Sequence, residues 1–204
     1  DHHFHQSGTK GAQCVECHMP HKTYMGIDDR RDHSIRIPRP DHSVEFGTPN
    51  ACNQCHTDKD AKWAAEAVVK HKGPDRPKDV RHPAAFHAFR NGKPEAEQLL
   101  LETCRDPESP AFTRAGAMLA LRQFISDASY DEARRNLDAN DSVVRVAAIS
   151  KLESLSDVDA HRDLVSMLND PIRSVRTEAA RILARIPETL FTLEELNLFQ
   201  KVLG

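Results

Sequence analysis

Apolar residues change their pattern along the chain near residue 73. Residues 94–204 carry repeated amphipathic runs at helical spacing and almost no glycine. Three runs fall into register at a step of 31 residues: Arg114, Arg145 and Arg176; Ala117, Ala148 and Ala179; Leu121, Leu152 and Leu183. Leu137 and Leu168 keep the same step upstream. A fixed period of this length predicts stacked helix pairs, because one pair cannot bury its apolar face alone. Asp106-Pro107, Asn140-Asp141 and Asn169-Asp170-Pro171 mark turns before the second helix of each pair. Thr192 with Glu195 predicts a capping-box start for the last helix. The repeated alanines and leucines read as core, and the repeated arginine as a solvated or turn-binding structural residue.

Residues 1–57 are poor in aliphatics, rich in His, Pro, Arg and Asp, and show no helical or strand period. Such a segment cannot bury enough apolar surface to offset its chain entropy, so its core must come from elsewhere. A short helix is expected over 58–71, capped by Thr57 or Asp58, with Trp63, Ala64, Ala67 and Val68 on its apolar face. Gly73-Pro74 ends it, and residues 74–78 read as a linker. Another short helix is expected over 84–90, before Asn91-Gly92. The expected fold is mostly α: a loop-rich module over 1–73, a linker with a short helix over 74–93, and a helical stack over 94–204.

The missing core has a candidate. Cys14-Val15-Glu16-Cys17-His18 and Cys52-Asn53-Gln54-Cys55-His56 are both C-x-x-C-H, the attachment signature of c-type haem. The cysteines form thioethers to the porphyrin, and His18 and His56 become axial iron ligands. Two covalent haems would supply the apolar bulk that residues 1–57 lack. The competing reading is a four-thiolate zinc site. The 34 residues between the pairs and the histidine after each favour haem. A thioredoxin-like pair is weaker, since no βαβ pattern surrounds either motif. The fifth cysteine, Cys104, sits in an apolar helical run and reads as a buried, inert thiol.

Candidates for the sixth iron ligands are His2, His3, His5, His21, His33, His42, His71 and Met25. Five of the twelve histidines precede residue 22, which favours at least one of His2, His3 and His5. Met25 would give His/Met ligation and a higher potential. Arg30, Arg31, Arg36 and Arg39 are either clamps for haem propionates or a solvated basic stretch.

The chain has 204 residues and a net charge of -3. Four haem propionates would take it to about -7, which argues against a nucleic-acid partner. No apolar run reaches transmembrane length. Haem c is attached outside the cytoplasm, so a leader is expected upstream, and the chain reads as a mature form or the carboxy-terminal piece of a longer protein. The expected location is periplasmic or extracellular.

Two resemblances sharpen these expectations. Val175-Arg176-Thr177-Glu178-Ala179-Ala180 and Val144-Arg145-Val146-Ala147-Ala148 resemble HEAT-like repeats, with Thr113-Arg114-Ala115-Gly116-Ala117 a degenerate copy. Cys14 to Pro20, Asp32-His33-Ser34-Ile35 and Ala51 to Lys59 resemble the last two haem segments of the pentahaem cytochrome c nitrite reductases. Residues 30–41 and 47–56 resemble more closely a group of multihaem c cytochromes related to these and to cytochrome c554. That resemblance covers roughly residues 1–72. It implies that His33 and one histidine before Cys14, His3 or His5, are distal ligands in bis-His coordination. A distal histidine in these folds often serves a haem other than its sequence neighbour's. The C-x-x-C-K of the nitrite reductases' catalytic haem is absent. The expectation is therefore a non-enzymatic dihaem electron carrier, with redox proteins or copies of itself as partners, as a unit of a polymeric haem array. The alternatives are a haem enzyme with an open site for a small nitrogen compound or peroxide, and a docking subunit of a larger multihaem complex.

Overall fold

The computed structural model describes residues 3–74 and 82–203. The chain is mostly α and divides into two compact units, Asp1–Asp79 and Val80–Gly204.

The first unit contains helices α1 (Cys14–His18), α2 (Pro40–Phe46), α3 (Cys52–Cys55) and α4 (Ala61–Lys72). Strands β1 (His21–Tyr24) and β2 (Asp28–Arg31) lie between α1 and α2 and form an antiparallel hairpin, with His21 opposite Arg31 and Tyr24 opposite Asp28. This hairpin departs from the expectation of no strand in 1–57. All four residues of β1 are exposed, so no alternation marks it in sequence. Its turn is made by Met25 and Gly26, both in the left-handed region at φ 52° and 81°, which a glycine tolerates without cost. Helix α4 starts later than expected and is capped by Asp60, whose carboxylate accepts the Trp63 N–H at 2.8 Å. Residues 56–60 are held in a turn instead: the Lys59 N–H donates to the His56 carbonyl, and the Asn53 amide donates to the Lys59 carbonyl at 2.8 Å.

The second unit contains α5 (His82–Arg90), α6 (Ala96–Arg105), α7 (Ala111–Ala120), α8 (Asp127–Asn136), α9 (Ser142–Lys151), α10 (Asp157–Leu164), α11 (Arg173–Leu183) and α12 (Leu193–Leu203). Helices α7, α9 and α11 pack side by side in one row; α6, α8 and α10 pack against successive members of it. Ala117, Ala148, Ala179, Leu121, Leu152 and Leu183 are each at most 1% exposed, so the 31-residue register is the core register. Helix α5 packs on α6 and buries Ala85 and Ala88, so it belongs to this unit's core. Thr192 and Glu195 form the expected reciprocal cap at α12: the Thr192 N–H donates to Glu195 Oε2 at 2.7 Å, and the Glu195 N–H to Thr192 Oγ1 at 3.3 Å.

Two buried charged side chains in this unit are paired, as the low dielectric requires. Glu132 takes Arg105 at 2.6 Å, Arg135 at 2.5 Å and the Asn136 amide at 2.9 Å. The Lys151 ammonium donates to the Phe124 carbonyl at 2.9 Å and stands 3.7 Å over the Tyr130 ring. Cys104 is buried, its thiol donates to the Arg114 carbonyl at 3.7 Å, and burial pushes its pKa up to about 12. A thiol held protonated in this way is a poor nucleophile.

Candidate haem site

Each C-x-x-C pair sits on one turn of helix. In α1 and α3 the two cysteines are three residues apart, which places their side chains on one face. The histidine follows as the helix ends: the Met19 N–H closes α1 on the Val15 carbonyl, and the His56 N–H closes α3 on the Cys52 carbonyl. The two pairs are neighbours in space. Burial raises the Cys17 thiol pKa, with Cys55 adding to the shift, and burial likewise raises Cys52, with Cys17 adding. Among the described residues no group of three or more His, Cys, Asp or Glu is placed to hold a bare metal ion.

The hairpin is the platform for both motifs. From β2, Arg31 donates through Nη1 to the Val15 and Met19 carbonyls, each at 3.2 Å, and through Nη2 to Glu16 Oε1 at 2.5 Å. That bond holds the Glu16 carboxyl below its usual range. Gln54 of α3 donates to the His21 carbonyl of β1 at 2.8 Å. The Asn53 N–H donates to Asn50 Oδ1, and the Asn50 amide donates to Ser43 Oγ and Asn53 Oδ1, so α3 is also tied to α2. Sequence reasoning singled out none of Arg31's carbonyl contacts, Asn50, Asn53 or Gln54 as supports of the motifs. Gly26 between β-favouring residues was the available signal for the hairpin.

His18 is oriented for metal binding. Its Nδ1 lies 2.8 Å from the Arg36 carbonyl oxygen. A carbonyl can only accept, so Nδ1 carries the proton of this bond and Nε2 is the ring nitrogen turned away from it. The Arg36 N–H returns a bond to the His18 carbonyl at 2.9 Å, fixing the two segments at two points. Such a bond to the remote ring nitrogen is the usual support of a ligating histidine.

His56 faces His5. Their ring centres are 6.0 Å apart with the planes tilted by 31°. Imidazole nitrogens bind first-row metals at about 2.0 Å, so two imidazoles on opposite sides of one metal have centres roughly 6 Å apart. The pair thus has the spacing of two axial ligands of one iron. His5 meets the second motif, not the first motif that follows it in sequence. Trp63 packs beside His56 at 4.8 Å between ring centres. Phe4 stacks on His71 at 3.9 Å, nearly parallel, with the Lys72 ammonium 5.1 Å above it. These residues fit a haem held through Cys52, Cys55 and His56.

The other candidates take various places. His3 is partly buried, and His33 is exposed beyond β2. His21 pairs with Asp29 at 3.0 Å, and His42 packs against Phe46 at 5.5 Å between ring centres. Met25 is 82% exposed at the hairpin turn. His2 lies outside the described residues. The four arginines considered as propionate clamps all have partners within the chain: Arg30 with Asp28, Arg31 with Glu16, Arg36 with Asp32, and Arg39 with Asp41.

Among the described residues no helix is long and apolar enough to cross a membrane. Comparison with curated proteins gives no match. Residues 3–88 match the cytochrome c552 family, from the first described residue into α5. That family implies covalent haem c, and its proteins are typically periplasmic. It is also associated with nitrite reductase, a haem enzyme, which overturns the expectation of a non-enzymatic carrier. The missing C-x-x-C-K speaks only against a lysine-ligated haem in this chain, and reduction chemistry is not confined to that ligand. The amino-terminal 3–88 are thus similar to cytochrome c552, a family of c-type haem proteins in electron transfer or nitrite reduction.

Proposed function

We propose that the first unit carries two covalent haems, through Cys14/Cys17 and Cys52/Cys55, and relays electrons outside the cytoplasm for chemistry of the nitrite-reducing kind. When bound, haem supplies the one-electron chemistry that side chains lack. His56 and His5 would hold one haem iron, and His18, set by the Arg36 carbonyl, would hold the other. The observation that carries the reading is the 6.0 Å spacing of His5 and His56. Two imidazole ligands would favour electron transfer at that site when haem is bound. His33 is proposed as the distal ligand on the His18 side, on the strength of the resemblance over 30–41. His3 is the alternative to His5 before Cys14.

Intact mass under denaturing conditions is expected to exceed that of the bare chain by two haem masses. A gain of one or none overturns the dihaem reading. Replacing His5 by Ala is expected to turn one haem high-spin in the ferric EPR spectrum, and His33→Ala the other. An unchanged low-spin spectrum in either variant removes that residue as a ligand.

The family match favours a second reading, in which a small nitrogen compound is reduced at the His18 iron. Nitrite turnover with a chemical reductant, abolished by His18→Ala but kept in His5→Ala, would support it. The second unit is proposed as a HEAT-like stack that docks a redox partner or a further copy of the chain, in the extreme as a haem array. Its exposed Phe112 and Ile125, 80% and 84% accessible, are apolar groups available for such contacts. A monodisperse monomer in light scattering of the holoprotein at high concentration would rule out the array.

A further inference from the structure

We propose that Gly11 is the positioning residue for His5: the absence of a side chain at position 11 makes the room in which the His5 imidazole faces His56. This rests on the reading of His5 as the sixth ligand of the Cys52/Cys55 haem. A Cβ at position 11 would lie 2.4 Å from His5 Cδ2, 2.7 Å from Cγ and 2.9 Å from Nε2. No other glycine of the described residues has such a neighbour. A Cβ at Gly116 would only touch Phe86 at 3.4 Å, and those at Gly8, Gly26, Gly47, Gly73 and Gly92 would meet nothing within 4 Å.

Those five glycines all have positive φ, so backbone freedom accounts for them. Gly11 does not. It lies in a single 3-10 turn, Lys10–Ala12, with a backbone that any residue adopts. On backbone grounds alanine would be the better choice there. What glycine contributes at position 11 is space.

The neighbourhood leaves the ring, not the backbone, to give way. The turn is closed by bonds from the Thr9 N–H to Gln6, the Ala12 N–H to Thr9 and the Gln13 N–H to Lys10. It runs directly into α1, whose Cys14 would be bonded to the other porphyrin. On the upstream side, Phe4 is held by its stack on His71. Carbon atoms in contact sit at about 3.5–4.0 Å, so the ring would retreat by about 1 Å. Ligand distances tolerate only about 0.2 Å. A methyl group at position 11 therefore removes His5 from the iron while leaving the fold and both thioether motifs untouched.

The test is the Gly11→Ala holoprotein beside His5→Ala and the double variant. In Gly11→Ala, one of the two haems is expected to become high-spin in EPR and optical spectra, with covalent haem content and far-UV circular dichroism unchanged. Millimolar imidazole is expected to restore the low-spin signal by filling the vacated position. If His5→Ala turns one haem high-spin and Gly11→Ala leaves both low-spin, the role of Gly11 is refuted and the ligand reading stands. If His5→Ala leaves both haems low-spin, the ligand reading itself is wrong and the proposal falls with it. Should Gly11→Ala fail to accumulate as holoprotein, the double variant decides. With the ring gone, the methyl group has room, so holoprotein yield should equal that of His5→Ala. A double variant that also fails to accumulate would show that position 11 acts on folding and not on His5.

Discussion

Arg145 and Asp170 form the bond that joins successive repeats. A guanidinium offers donors in a fixed fork, and Arg145 uses both sides of it. Nε and Nη2 meet Asp170 at 2.8 and 3.0 Å, while Nη1 donates to the Ala139 and Asn140 carbonyls at 2.8 and 3.2 Å. Arg176 repeats the second contact, donating to the Asp170 and Pro171 carbonyls at 2.8 and 3.0 Å. Both side chains of the Arg145–Asp170 pair are close to buried, at 11% and 7% exposure. Removing one partner strands a charge in a low dielectric, so Arg145→Ala should cost about 3–5 kcal/mol in urea unfolding. Burial pushes the Asp170 carboxyl up, but the bonds from Arg145 and from the Ile172 N–H more than offset it and leave the pKa below the usual value. Its folded pKa is therefore lower than its unfolded one. The stability it contributes is present above the unfolded carboxylate pKa of about 3.9 and is lost as pH falls through the folded value. Asp170→Asn should be less stable at neutral pH and should lack this part of the acid loss.

The first copy lacks the pair. The buried Arg114 Nε has no hydrogen-bond partner, and the position one repeat before Asp170 is Ala139. Placing an acid there, Ala139→Asp, should stabilise the stack by about 1 kcal/mol by satisfying that donor. A lower urea midpoint would mean that the repeat geometry does not extend to the first copy.

At the scale of elements, legibility followed periodicity. Helices α6 to α11 were readable because each buries a face at helical spacing against a neighbour in the stack. The cap of α12 was readable because both its bonds are local. The hairpin was not, since β1 buries nothing and its pairing is set by a turn and by ties to the haem motifs. Helix α4 lies between these cases. Its apolar face was visible, but its start was decided by Asn53, whose amide holds residues 56–60 in a turn and leaves Asp60 as the cap. Asp60→Ala should destabilise the first unit by about 1 kcal/mol. It should also alter the fluorescence of Trp63, the chain's one tryptophan, which packs beside His56. Unchanged fluorescence would separate the cap from the site.

At the scale of the molecule, the two units obtain their cores differently. The second has a continuous apolar interior from Ala85 to Ile186, built from its own side chains. A fragment over 80–204 should stay helical in circular dichroism without haem. Trimming it to 94–204 removes α5, with buried Ala85 and Ala88 and with Phe86 and Phe89 packed on the core. That should cost roughly 3 kcal/mol. Equal stability of the two fragments would show that α5 adds nothing to the stack.

The first unit has few buried apolar residues of its own: Ala64 and Pro40 are buried, while Val44, Ile35 and Ile37 are more than half exposed. The two C-x-x-C-H motifs were legible in sequence because each is local, contained within five residues on one turn of helix. Helix periodicity was legible for the same reason, as a short-range consequence of 3.6 residues per turn. The partner of each motif was not. Which histidine faces His56, which carbonyl sets the His18 tautomer, and why position 11 has no side chain all depend on segments distant in the chain. Their approach is fixed by the hairpin, by Arg31 and by Gln54. No local pattern records such pairings, because their distances exist only once the chain has closed on itself.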